Sequence, residues 1–301
     1  MSGTTDARGH ALSTGSATAA DAFNAGVDSF VRWRTDAIAR MDAAIEADPS
    51  FAMARLGKGW ILQTARSASY RPVIERLLAE SAPHLGTDPR ERAYFDALGL
   101  ACQGHGVAAA TILETMLQRY PTDLFAHRLT QFELFWNGRS DWMCDIAERA
   151  TPHWNESTPG YGSFQSVRAF SNEEAGHYAL AEQCGRTAVE MDPHDVWGTH
   201  AVAHVLVMQG EIERGVSWLE GLCGNWEGIN QMAHHLWWHL ALFLLERGEH
   251  VRILQLLTER IRNPQSPLVQ ALPDATIDIQ NVASLLLRLE LRGVDVGDAW
   301  S

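Results

Sequence analysis

The stretch EEAGHYALAEQCGRTAVEMDPHDVWGTHAVAHVLVMQG, residues 173–210, decides the fold. It contains Gly176, then an amphipathic segment that ends at Pro193, and then a second apolar segment that ends at Gly210. Apolar residues recur three and four positions apart, which is the helical period. Proline stops a helix because it lacks a backbone N–H and clashes with the preceding turn. The stretch therefore predicts a repeating unit of helix, glycine turn, helix and proline.

The same unit recurs along the chain with a period of 72 residues. Turn glycines are separated by 34, 38, 34 and 38 residues, and three prolines are 72 residues apart, so that one period holds two helical hairpins. These residues are Gly104, Gly138, Gly176, Gly210 and Gly248, with Pro49, Pro121 and Pro193. Runs of alternating β-branched residues are missing from the sequence. We therefore predict an all-α, tetratricopeptide-like solenoid of helical hairpins whose concave side closes into a pocket.

Longer strings carry a more specific signature than the period. They are FNAGVDSFVRWR (23–34), AAIEADPSFAMAR (43–55), the stretch 173–210, WHLALFLLERGE (238–249) and LLLRLELRGVDVG (285–297). Together they resemble the tetratricopeptide repeat protein 38 family over roughly residues 21–300. The resemblance implies one continuous helical repeat domain and no particular activity. Leu236 stands where we expect a polar residue in relatives, and Asn281 where we expect an acid.

Composition narrows the class of protein. The 301 residues are 46% hydrophobic and 20% charged, as in a soluble globular chain, and we expect a single domain over residues 21–301 after a disordered leader at 1–20. Lys and Arg number 24 against 37 Asp and Glu, and the net charge of −13 repels nucleic acid and anionic membranes. The four cysteines contain no C-x-x-C pair, which indicates a reducing cytoplasm.

Histidines are concentrated in two consecutive predicted helices. His200 and His204 lie in GTHAVAHVLVMQG, and His235 and His239 lie in MAHHLWWHLALFLLERG. On a helical wheel, His204, His235 and His239 fall about 150° or more from the centre of the apolar packing face, and His200 about 110° away. In solenoids of this kind that side of the first helix lines the concave groove. We therefore expect the four imidazoles to project into one groove.

Aromatic and charged residues are predicted to share the groove. The expected ligand-binding side chains are His200, His235, Trp238, Phe170, Arg128, Trp136 and Tyr161. Tyr161 lies in the glycine-rich loop TPGYGS and is expected to cover one end. A last helix that carries Asp278 could bring this carboxylate near the histidines.

Three chemical interpretations of the histidines remain open. In the first, the protein is an enzyme that requires neither a metal nor another cofactor. His204 and His239 act as general acid and base, and their tautomers are fixed by Glu174 and Asp278, respectively. Hydrolysis, elimination and isomerisation all fit this arrangement. Alternatively, the H-x-x-x-H pairs His200 with His204 and His235 with His239 bind zinc, iron or manganese, with Glu174 or Asp278 as a further ligand. In the third interpretation the histidines are structural.

The same residues predict the partner. Aromatic walls with a few titratable groups favour a small-molecule ligand or substrate. The rival hypothesis is an adaptor that binds a peptide or protein in its concave groove, as many tetratricopeptide arrays do. Grooves for acidic peptides carry several cationic residues, and here only Arg128 is placed there, which favours the small molecule. A scaffold that forms homo-oligomers is the third possibility, and it leaves the histidines unexplained.

Overall fold

The computed structural model describes residues 4–300, and within them the chain forms sixteen α-helices. The helices are α1 (Ala17–Val31), α2 (Ala37–Ala47), α3 (Ala52–Thr64), α4 (Arg71–Ser81), α5 (Pro89–Cys102), α6 (Gly106–Leu117), α7 (Leu124–Phe135), α8 (Ser140–Ala150), α9 (Tyr161–Glu174), α10 (Tyr178–Met191), α11 (Val196–Met208), α12 (Ile212–Leu222), α13 (Met232–Glu246), α14 (His250–Leu256), α15 (Pro267–Ala271) and α16 (Thr276–Leu291). Extended pairing in this part of the chain is limited to two isolated bridges, Thr5 with Ala11 and Arg34 with Ile229. The all-α prediction is confirmed.

Helices pack in pairs that stack in chain order. α9 packs on α10, α11 on α12 and α13 on α14, while the first helices α7, α9, α11 and α13 contact one another in succession. The turn after each first helix contains a glycine with a φ between 63° and 87°. The left-handed region costs glycine nothing sterically, which explains why glycine recurs there. These are the predicted Gly104, Gly138, Gly176, Gly210 and Gly248.

Small residues set the spacing between helices. Ala97, Ala169, Ala203 and Ala241, which precede turn glycines by seven positions, are all fully buried. Gly215 on α12 makes the closest approach, because a Cβ atom there would lie 2.2 Å from the ring of Phe243 on α13. Helices α12 and α13 can therefore pack at this distance only with glycine at position 215.

A closing segment, residues 30–35, joins the first hairpin to distant repeats. The ring of Phe30 lies 5.2 Å from that of Phe125 on α7, and Trp33 stacks on Trp197 of α11 at 5.0 Å. The carbonyl of Trp33 accepts a hydrogen bond of 2.8 Å from the backbone N–H of Asn230. The first hairpin is therefore in contact with α7, α11 and the connection between α12 and α13, largely through aromatic side chains.

Order begins earlier than the predicted leader of residues 1–20 suggested. Residues 1–3 lie outside the described part, but Asp6 is already buried and its carboxylate lies 2.7 Å from Nη2 of Arg90. Arg90 also contacts Asp123 at 2.6 Å. The partner of Asp6 is 84 positions away, so the small polar residues around it give no local sign of order. None of the described helices is long and apolar enough to cross a lipid bilayer.

Candidate functional site

The structure brings the predicted histidines of α11 and α13 together as a four-histidine cluster, His200, His204, His235 and His239. Each helix contributes two residues one turn apart, and the two helices pack side by side. His200 and His239 are almost fully buried, whereas His204 and His235 are partly exposed. The cluster is therefore rooted in the core and reaches solvent on one side.

The Nε2 atoms of the cluster converge. They are 3.1 Å apart between His204 and His239, 3.1 Å between His235 and His239, and 3.2 Å between His200 and His235. One ring nitrogen from each of the four lies within 4.8 Å of those of the others. The convergent nitrogens thus surround a single point.

The hydrogen bond of one outer nitrogen shows the tautomer of its ring, and a nearby carboxylate favours the same tautomer in a second ring. Nδ1 of His235 donates to Oδ1 of Asn281 on α16 at 2.9 Å. Nδ1 of His204 lies 3.2 Å from Oε2 of Glu173 at the end of α9, and the carboxylate favours a proton on that nitrogen. In the neutral rings of His204 and His235, Nε2 then carries a lone pair directed at the centre.

Hydrogen bonds can account for at most two of the three close Nε2–Nε2 contacts in the cluster. Nε2 of His239 contacts both His204 and His235, yet it has at most one proton to donate. Additional protons are disfavoured because burial lowers the pKa of His235 to about 4, and holds those of His200 and His239 well below their usual value with help from neighbouring histidines. At least one of the three contacts therefore has no proton between its two nitrogens.

A carboxylate pair, Glu173 and Glu174, lies on the outer side of His204. Glu173 is 6% exposed, and its Oε2 atom has no hydrogen-bond partner. Burial and the charge of Glu173 raise the pKa of Glu174 to about 7, although His204 acts in the opposite direction. One oxygen from each carboxylate and one ring nitrogen of His204 all lie within 4.8 Å. His204 is thus placed between the two groups of ligand atoms.

Two expected acid–base pairs are revised. Nδ1 of His204 contacts Oε2 of Glu173 at 3.2 Å, and the predicted Glu174 has an oxygen within 4.8 Å of a ring nitrogen of His204. Asp278 does not pair with His239: its Oδ1 atom lies 3.0 Å from Nδ1 of His234, and Nδ1 of His239 has no partner. The sequence pattern gave no sign that Asp278 on α16 contacts His234.

Aromatic rings surround the cluster, as the sequence led us to expect for two of them. Trp238 stacks on His235 at 5.1 Å, and Phe170 lies 5.5 Å from the ring of His200. Trp197 lies 4.9 Å from the same ring and continues the contact to the closing segment. These rings keep water away from the inner side of the cluster.

Of three other expected ligand-binding residues, Arg128 lies behind Trp197, with its guanidinium 5.1 Å from that ring, and Tyr161 and Trp136 lie elsewhere. Arg128 is fully buried, with its guanidinium bonded to Gln131 and Ser166, and burial lowers its pKa to about 9. Tyr161 begins α9 and Glu174 ends it, which separates Tyr161 from the carboxylate pair by roughly 20 Å along the helix axis. Trp136 is half exposed, with Arg66 above its ring at 5.9 Å. Spacing along the helix placed these residues on the groove side without showing their depth.

A small cavity of about 10 Å³ lies between α7, α8 and α9. Its lining includes His127, Gln131 and Ser171 and none of the four-histidine cluster.

No family model matches the chain. A crystal structure of the tetratricopeptide domain of P58(IPK) is similar at 13% sequence identity, over 89% of this chain and 78% of that chain, with a TM-score of 0.26. The hairpin architecture therefore stands on the helices and contacts described above.

Proposed function

We propose that this protein binds one divalent transition metal through the Nε2 atoms of the four-histidine cluster and uses it to activate a small-molecule substrate. The observation that carries this proposal is the convergence of four imidazole nitrogens in which at most two of the three close contacts can be hydrogen bonds. A cation at the centre accepts all four lone pairs at once. We also propose that the protein belongs to the tetratricopeptide repeat protein 38 family and that it is cytoplasmic.

The nitrogen separations suit such an ion. A metal–nitrogen bond of about 2.0–2.1 Å places two nitrogens about 3.0 Å apart at a right angle and about 3.4 Å apart at the tetrahedral angle. The three close Nε2–Nε2 separations in the cluster, 3.1, 3.1 and 3.2 Å, fall inside this interval. Hydrogen bonding of the His235 ring to Asn281 is the outer-sphere contact that orients metal-binding histidines.

The ligand set favours particular metals and a particular reaction. Neutral imidazoles suit zinc, copper, iron and nickel better than calcium or magnesium. Four neutral ligands leave the charge of the metal undiminished, so a water molecule bound on the exposed side by His204 and His235 would lose its proton readily. Hydrolysis is therefore favoured over elimination and isomerisation. His204 and His239 serve here as ligands, which replaces the acid–base role expected from the sequence.

The peptide-adaptor hypothesis has less support. Arg128, the cationic residue expected in the groove, is fully buried. The closing segment also occupies the inner side of the stack through Trp33 and Trp197. A peptide would have to displace these stacked rings, whereas a metal ion requires no such change.

Metal content of the purified protein tests the proposal. After expression with zinc, iron and manganese supplied, and after tag removal, we expect at least about one equivalent of one metal. His235→Ala and His239→Ala should lose most of it, because each removes one of four ligands. The exposed His153→Ala is the matched control and should retain the metal. Unchanged metal content in both cluster variants, or a metal-free wild-type protein that also fails to bind added zinc, contradicts the proposal.

A further inference from the structure

The carboxylate pair and His204 form a second group of ligand atoms that a single metal in the four-histidine cluster leaves unused. The ring of His204 directs Nε2 toward the cluster and Nδ1 toward the carboxylates of α9. Within the described residues, two groups of three or more side chains have the spacing of a metal site, and His204 belongs to both. A shared imidazole is the chemical link between them.

We propose that Glu173, Glu174 and Nδ1 of His204 bind a second divalent cation, so that the His204 ring bridges a two-metal centre. This inference rests on the proposed function, because His204 must also hold the first metal. The second site offers two carboxylate oxygens and one ring nitrogen, a mixed set that suits zinc, iron and manganese.

The unpartnered oxygen of Glu173 points to a cation. Oε2 lies 3.2 Å from Nδ1 of His204, yet the two atoms are not aligned for a hydrogen bond, and this oxygen has no other partner. Leaving a carboxylate oxygen buried and unpaired is costly. A separation of 3.2 Å is instead close to that of two adjacent ligands on one metal, about 3.0–3.4 Å. A cation beside both atoms removes the cost and also separates the charges of the carboxylate pair.

If the ring of His204 bridges two metals, its Nδ1 atom must lose a proton. Before the second cation binds, Nδ1 of His204 carries a proton and Nε2 donates its lone pair to the first metal. Entry of the second cation releases the Nδ1 proton to solvent, and the resulting imidazolate donates one lone pair to each metal. Binding at the second site therefore releases the Nδ1 proton of His204 together with any proton that Glu174 carries.

Zinc stoichiometry measured by equilibrium dialysis tests the inference. Wild-type protein should bind about two equivalents, and the double variant Glu173→Gln/Glu174→Gln about one. The control Glu190→Gln, an exposed glutamate on α10, should still bind two. Binding of one equivalent by both the wild type and the double variant overturns the second site and leaves the first intact. Two equivalents in the double variant overturn the assignment to these carboxylates.

A second measurement does not depend on the variants folding. With two equivalents of Cu²⁺, the wild-type protein should show an electron paramagnetic resonance intensity well below its copper content at low temperature, since an imidazolate bridge couples the two spins. Full intensity for both coppers shows that they are not bridged and contradicts the inference. A wild type that binds no metal removes both this inference and the proposed function, and a double variant that binds none shows that the carboxylates belong to the first site.

Discussion

The carboxamide of Asn281 holds the ring of His235 from its outer side. Oδ1 of Asn281 accepts from Nδ1 at 2.9 Å, which directs Nε2 toward the centre of the cluster. Outer-sphere partners of this kind are typically worth 10–100-fold in metal affinity. The resemblance to relatives led us to expect an acid at this position, and an acid would accept the same hydrogen bond.

We predict that Asn281→Ala weakens zinc binding by about 10–100-fold, because the His235 ring loses its orientation. Asn281→Asp should bind zinc at least as tightly as the wild type. Competition against a chromophoric chelator measures both affinities, and Gln280→Ala, an exposed neighbour on α16, serves as the control. Equal affinity of Asn281→Ala and wild type argues against an ion beside His235.

At the site, the sequence predicted some of the residues but not which residues they contact. The histidines could be predicted because their helical spacing repeats in two adjacent hairpins. Glu173 and Glu174 are neighbours at the end of a helix, about 100° apart on a wheel, and periodicity cannot decide which one reaches His204. The pairing of Asp278 with His234 depends on how α16 lies against α13, which no local pattern encodes.

Helix packing in the repeats depends on where glycine permits contact. Helix α12 contains two glycines in different surroundings. A Cβ atom at Gly215 would lie 2.2 Å from Phe243, whereas one at Gly221 would have no neighbour within 4 Å. The two positions therefore separate the effect of close approach from that of helix propensity.

We predict that Gly215→Ala lowers the free energy of unfolding by about 1–3 kcal/mol, because the added methyl group forces α12 away from Phe243. Gly221→Ala should leave stability unchanged or raise it by up to about 1 kcal/mol, since alanine is the better helix former. Urea denaturation monitored by circular dichroism compares the two. Equal effects of both substitutions contradict a close contact between α12 and α13.

Element boundaries were largely readable from the sequence. Gly176 and Gly210 mark turns because their left-handed backbone is a local requirement, and Pro193 follows α10 for an equally local reason. The π-helical turn at Leu257–Ile261, which interrupts the path from α14 to α15, was not foreseen. It extends a helix whose apolar pattern continues, so the pattern gave no signal for the change in winding.

At the scale of the whole molecule, the chain is held together by contacts between distant segments. Trp33 reaches Trp197 and Asn230, and Asp6 reaches Arg90. Neither contact follows from the 72-residue period, because both involve residues outside the repeating pattern. The sequence therefore predicted the stack of hairpins but neither of these contacts, and it assigned residues 1–20 to a disordered leader for the same reason.

We predict that Asp6→Asn destabilises the protein by about 3 kcal/mol at pH 7, since Arg90 then loses a buried partner. Asp21→Asn, on an exposed position of α1, should have little effect. Equal urea midpoints for Asp6→Asn and the wild type contradict a role for residues 4–16 in the fold.

The same contact predicts a pH dependence. Burial alone raises the pKa of Asp6, but the hydrogen bond from His10 and the charge of Arg90 outweigh it and hold the pKa well below its usual range. A lowered pKa in the folded state means that the stabilisation is complete above the unfolded value, about 3.9, and is lost as the pH falls below it. The difference in urea midpoint between wild type and Asp6→Asn should therefore be constant from pH 7 to about 5 and shrink below about pH 4. A difference that grows on acidification contradicts this account.

X-ray absorption spectroscopy of the wild-type protein loaded with one equivalent of zinc tests the central claim most directly. We expect four nitrogen neighbours at about 2.0–2.1 Å, with the outer-shell scattering that imidazole rings produce. A first shell of carboxylate and water oxygens without that outer-shell signal would contradict a metal held by His200, His204, His235 and His239.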